Sequence, residues 1–104
     1  MLMHKGHRLY IVPRNLTRSY YCGYVEVLPD DYYFGHWDLA EQELDAPGGI
    51  TYTPAYGKLD NLPKDSEFIG FDTLHNGIEN FTESQTIDAC VELINEIEGK
   101  SDVK

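Results

Sequence analysis

The chain has 104 residues, with 8 Lys or Arg against 18 Asp or Glu and a formal charge of −10 at neutral pH. That is the size of one small acidic domain, and the charge argues against general affinity for DNA, RNA or an anionic membrane surface. Leu, Ile, Val and Phe supply 26 residues, a quarter of the chain and above the level of about one-fifth below which highly charged sequences stay disordered. No apolar stretch approaches the ~20 residues that cross a bilayer, and residues 1–8 hold no apolar run of signal-peptide length, so the expectation is a soluble, unexported protein.

The charge is uneven: residues 1–25 carry Lys5, Arg8, Arg14 and Arg18 and no acid, so the remainder carries every carboxylate. Two kinds of recognition stay open. The N-terminal arginines are suited to a small phosphate-bearing ligand, and the acidic remainder is suited to a basic protein that it meets as a nucleic-acid mimic. Cys22 and Cys90 form no CxxC pair, and without an export signal they are expected as free, buried thiols.

In chain order, residues 1–7 are expected to fray, and residues 8–12 (RLYIV) read as a first strand closed by Pro13, which lacks a ladder donor. Residues 20–27 (YYCGYVEV) read as a second strand, with Tyr21, Gly23, Val25 and Val27 on the face toward the core and Tyr20, Cys22, Tyr24 and Glu26 on the other. Residues 29–47 form a long connection with an expected short helix near 38–44, and its length makes it a candidate lid or pocket wall. Gly48-Gly49 launches a third expected strand at 50–53, ended by Pro54. A fourth at 67–72 (EFIGFD) sets Phe68, Gly70 and Asp72 opposite Ile69 and Phe71. Thr82 and Gln85 have capping-box spacing before a helix at 83–98 whose stripe is Ile87, Cys90, Val91, Ile94 and Ile97, with Glu83, Asp88, Glu92, Glu96 and Glu98 in water and Gly99 as the stop. Residues 100–104 are expected to fray. The sum is a single α+β domain: a mostly antiparallel four-stranded sheet with a C-terminal amphipathic helix on one face.

No Walker loop, GxGxxG, GxSxG or HExxH motif is present, so no cofactor or metal is assigned. Asp72 with His75, and His36 with Asp38, have spacings that a mixed metal site or a His general base would use, but ordinary loops carry such pairs as hydrogen-bonded partners as well. Eight tyrosines with Trp37, Phe34 and Phe71 supply flat faces with polar handles. Such rings stack nucleobases beside an arginine, and they equally cover a small sheet.

Cys22-Gly23-Tyr24-Val25, then Gly48-Gly49-Ile50-Thr51-Tyr52, then Ile69-Gly70-Phe71-Asp72 with His75, and finally an amphipathic helix form an order that resembles a family of small proteins of bacteriophages and prophages. The chain departs from that family's pattern at Pro47, where the family has His, and at Thr73, where it has Cys. The resemblance implies a phage accessory protein acting in a bacterial cytoplasm. The leading expectation is a noncatalytic protein that sequesters a small nucleotide-derived signal of host defence. Tyr24, Trp37, Tyr52 and Phe71 are its stacking candidates, Arg8 or Arg18 its phosphate partner, and Thr51, Asp72 and His75 its contacts to ribose or base. A pocket of this kind is readily shared between subunits, so a homo-oligomer is expected. The rival is an acidic inhibitor that fills the basic channel of a host nuclease through Glu79, Glu83, Asp88, Glu92 and Glu96; a third reading is a metal-dependent hydrolase using Asp72 and His75.

Overall fold

A computed structural model describes residues 1–15, 19–74 and 80–101. Its elements are β1 (Leu2–His4), β2 (His7–Asn15), β3 (Ser19–Val27), α1 (Trp37–Glu43), β4 (Glu67–Asp72) and α2 (Glu83–Ser101). The strands lie in the order β1-β2-β3-β4, every neighbour antiparallel, and α2 packs across β2 and β3. The domain is α+β with its long helix on one face. Among the described residues no helix is long and apolar enough to cross a membrane.

Period-two alternation gives β3 two different faces. Val25 and Val27 join Leu9, Ile69, Phe71, Cys90, Leu93, Ile94 and Ile97 in the larger core under α2. Cys22 and Tyr24, on the opposite face, join Phe68 and Leu62 in a second cluster. Each fully buried aliphatic side chain contributes about 1.5–3 kcal/mol, so Leu93, Ile94 and Ile97 alone tie α2 firmly to the sheet. The capping box forms in both directions: Gln85 N donates to Thr82 Oγ1 at 3.1 Å, and Thr82 N donates to Gln85 Oε1 at 2.8 Å.

Several expectations are corrected. Residues 2–4 do not fray but pair with β2, because Lys5 (φ 50°) and Gly6 (φ 80°) supply the two positive φ angles of a type I′ hairpin turn. Pro13 does not end β2, which runs to Asn15. Its partner Tyr21 turns both backbone groups toward Thr73, so the missing proline N–H faces away from β3, past the end of β1. The expected strand at 50–53 is reduced to a single bridge between Tyr52 and Gly70. Thr53 instead caps a 3-10 turn, Pro54–Tyr56, by accepting from Ala55 N at 3.2 Å, and proline at the first position commits the chain to that turn. Helix α2 passes through Gly99 to Ser101, and Glu98 is not left to water but bonds His7.

The 29–47 segment is a structural layer rather than a lid: Tyr33, Ala40, Leu44 and Ala46 are buried in the larger core, with α1 formed close to where the sequence places it. The thiols of Cys22 and Cys90 are free and buried on opposite sides of the sheet, and burial pushes Cys90 up to about 12.

Packing leaves no room at Gly23, where an added Cβ would lie 2.7 Å from both Cys90 Sγ and Phe71 Cζ. Gly23→Ala is therefore expected to lower stability by about 1–3 kcal/mol. Gly99→Ala, with nothing within 4 Å of the new Cβ, is expected to gain up to about 1 kcal/mol by relieving helical backbone entropy. Urea-unfolding midpoints of the two variants check both signs.

Candidate ligand site

The candidates named from sequence are distributed over both layers. Phe71 is 1% exposed under α2, and Trp37 packs edge-on against Phe34 on the margin of the same core, with ring centroids 5.7 Å apart. Tyr24 and Tyr52 lie on the other face and meet edge to face at 5.8 Å. The sheet therefore separates the four rings into two pairs and does not bring them to one pocket. Tyr52 also donates its hydroxyl to the Gly57 carbonyl, while Thr51 is exposed and donates its amide to Gly70 O at 2.9 Å. Asp72 Oδ1 accepts from Leu74 N at 3.0 Å. Arg18, His75 and Glu79 lie outside the described residues.

Arg8 is committed to the fold. Its Nε and Nη2 grip the two oxygens of Glu26 at 3.2 and 3.1 Å, and its own amide adds a bond of 3.0 Å to Oε1. Asp65 stands 3.6 Å away and Phe68 underlies the guanidinium at 5.8 Å. Burial alone would raise the Glu26 carboxyl, but the hydrogen bonds from Arg8 outweigh it and the pKa falls below its ordinary value. A guanidinium bound in this two-pronged way is not available to a phosphate.

Among the described residues, the arginine on that face with no carboxylate opposite it is Arg14. Register places it directly opposite Tyr20, in the row with Cys22 and Tyr24. Hydrogen bonding to Tyr24 and to Cys22 raises the Arg14 pKa. Burial, opposed by Arg14, pushes the Tyr24 hydroxyl up to about 12. Pro13, Arg14, Asn15, Ser19, Tyr20 and Tyr21 surround an open recess of about 330 Å³ at the end of the β2–β3 pair, within the size range of small-molecule sites. By alternation Pro13, Asn15, Ser19 and Tyr21 belong to the α2 side of the sheet and Arg14 and Tyr20 to the other, so the recess lies at the sheet's end between the two sets; the Ser19 hydroxyl donates to Asn15 Oδ1 at 2.9 Å. The sequence singled out the arginine–tyrosine chemistry but chose Arg8 or Arg18 over Arg14, because only the register shows which arginine has a carboxylate opposite it and which has tyrosine.

Other recesses have different chemistry. One of about 140 Å³ is bordered by Glu26, Asp65 and Glu67 and repels an anion. Another, of about 330 Å³, lies among Met1, Leu2, Leu9, Ile11 and Ile87, with Glu83 as its one acid, and offers an anion no cationic side chain.

Arg8→Leu leaves the buried Glu26 carboxylate uncompensated and is expected to cost about 3–5 kcal/mol, whereas Arg14→Gln is expected to change stability by less than about 1 kcal/mol. The lowered Glu26 pKa also makes the Arg8 pair's contribution present at neutral pH and lost as pH falls through the folded-state pKa, so the gap between Arg8→Leu and wild type narrows in acid. Denaturant titrations at neutral and acid pH measure both effects. Comparison of the chain with protein-family models, with curated proteins and with solved structures finds no match.

Proposed function

We propose that this is a noncatalytic binding protein that captures a small, anionic, nucleotide-like molecule at the Arg14 recess. The observation that carries the reading is a guanidinium held by neutral partners rather than by an opposing carboxylate in its row, with Tyr20 directly across the ladder from it, at the edge of a ligand-sized recess. A guanidinium beside flat rings suits a phosphate attached to a base. The phage setting rests on the motif resemblance, and within it the protein would withdraw a defence signal in the bacterial cytoplasm.

A second reading is favoured by a separate feature. Glu83, Asp88 and Glu92 are exposed on α2, with Glu96 half-buried beside Asp45, whose amide it accepts at 3.1 Å. That acidic face suits the basic channel of a host nuclease. Ionic strength separates the two readings, because contact between exposed charges is screened within about 10 Å at 0.1 M salt while a stacked ligand is less affected.

The protein is exposed to lysate from defence-activated bacteria, repurified and denatured, and the released small molecules are identified by mass spectrometry. A stoichiometric phosphate-bearing aromatic compound is expected from wild type. Arg14→Gln is expected to retain about tenfold less or lower, the scale of one lost charge-assisted contact, and reversal of Glu92 to Lys is expected to change nothing. A blank from wild type, with the signal present in the same lysate, contradicts the proposal.

A further inference from the structure

His7 is 0% exposed, yet both of its ring nitrogens face oxygen. Nδ1 lies 2.7 Å from the Glu26 carbonyl, Nε2 lies 2.6 Å from Glu98 Oε2, and Asp31 Oδ2 stands 3.6 Å from Nδ1. A backbone carbonyl only accepts, so Nδ1 carries a proton. The Glu98 side chain is 33% exposed and keeps water on its other lone pairs, which favours carboxylate, so Nε2 carries a proton too. We infer that His7 is a buried imidazolium that acts as a proton-held clasp, joining the β1–β2 hairpin to the last turns of α2 and to the turn at 28–31, and that losing this proton loosens β1 and the turn end of the hairpin.

The surrounding charges support the inference. Asp31 is itself tied down, accepting from Leu28 N at 2.7 Å. The Glu26 side chain is turned to the other face and bound to Arg8. From α2, Lys100 is directed to Glu43 at 3.7 Å and over the Tyr32 ring rather than to Glu98. His4 on β1 bonds Asn95 at 2.9 Å, and Asp30 adds negative charge near Asp31. No cation other than His7 bridges Asp31 and Glu98 among the described residues. Once the proton passes to bulk water, one ring nitrogen presents a lone pair to an oxygen lone pair, and the Asp31 and Glu98 carboxylates are left around a neutral ring with no cation between them. Burial opposes the charged ring, but the bonds to Glu98 and Glu26 and the fields of Asp31 and Glu98 outweigh it and raise His7 above 6.5.

The sign follows. A raised folded-state value means stability is fully present below the unfolded value of 6.5 and is lost as pH rises through the folded value. Asp31, also raised by burial, favours the folded state in acid, in the same direction. β1 is then held by its short ladder to β2 and by the His4–Asn95 bond, β2 itself staying paired with β3, and loosening of β1 widens the recess between Leu2, Leu9, Ile11, Glu83 and Ile87.

The test is an NMR titration of the histidine rings in the wild-type chain, with melting temperatures and intrinsic-rate-corrected amide protection for residues 2–4 and 7–9 over the same pH series. The expected result is a His7 ring protonated at both nitrogens at neutral pH and titrating above 6.5, with melting temperature and hairpin protection falling as it does. Glu98→Gln is expected to flatten that fall, and His7→Gln to remove it. Should His7→Gln fail to fold, the wild-type titration still decides. A His7 ring that is singly protonated at neutral pH, or hairpin protection that stays constant through its titration, overturns the inference. So does displacement of the ring proton by added zinc at neutral pH, since His7, Asp31 and Glu98 would then form a metal site.

Discussion

The fold depends on the close approach of β3 to what covers it on each side. At Gly23 there is no room for a Cβ beneath Phe71 and Cys90, and at Gly70 the space a Cβ would need is taken by the Tyr24 ring. Two glycines on neighbouring strands thus admit an aromatic ring against backbone from opposite directions. The cost is backbone entropy at each glycine, and the return is a β3–β4 pair buried on both faces within a chain of 104 residues.

That constraint gives three short segments of the sequence a physical meaning. CGYV contributes Gly23 and Tyr24, IGFD contributes Gly70 and Phe71, and GGITY contributes Tyr52, whose backbone pairs with Gly70 while its ring meets Tyr24. The three segments converge on one place in the sheet. Their spacing in sequence reads as a site, but most of their aromatic surface is used in packing. The charge is layered in the same way: the acids of α2 lie on the helical side, and Arg14 lies on the other face of the sheet. A net charge of −10 is thereby compatible with a local anion site, because over distances beyond about 8–10 Å the acids are screened.

What was legible in the sequence was what local chemistry dictates. The β3 alternation, the Thr82–Gln85 box and the α2 stripe each follow from a period or a cap, and α1 and β4 fall close to their expected bounds. What was not legible depended on distant partners. The hairpin at Lys5-Gly6 joins a strand of only three residues with no apolar alternation, and its anchor is Glu98, near the other end of the chain. The strand expected at 50–53 satisfied β propensity, but Thr53 and Pro54 have a stronger local alternative in a capped turn. Arg8 and Arg14 look alike in sequence; only the β2–β3 register sets one against Glu26 and the other against Tyr20.

The central claim is that the end of the β2–β3 pair is where this surface keeps its unspent recognition chemistry. Amide chemical-shift mapping by NMR, titrating the protein with adenosine 5′-monophosphate to millimolar concentration and with inorganic phosphate in parallel, tests it most directly. The account predicts saturable shifts confined to Arg14, Asn15 and residues 19–21, larger for the nucleotide than for phosphate. Shifts centred on Trp37 or on the α2 acids, or no saturable shift at all, would contradict it.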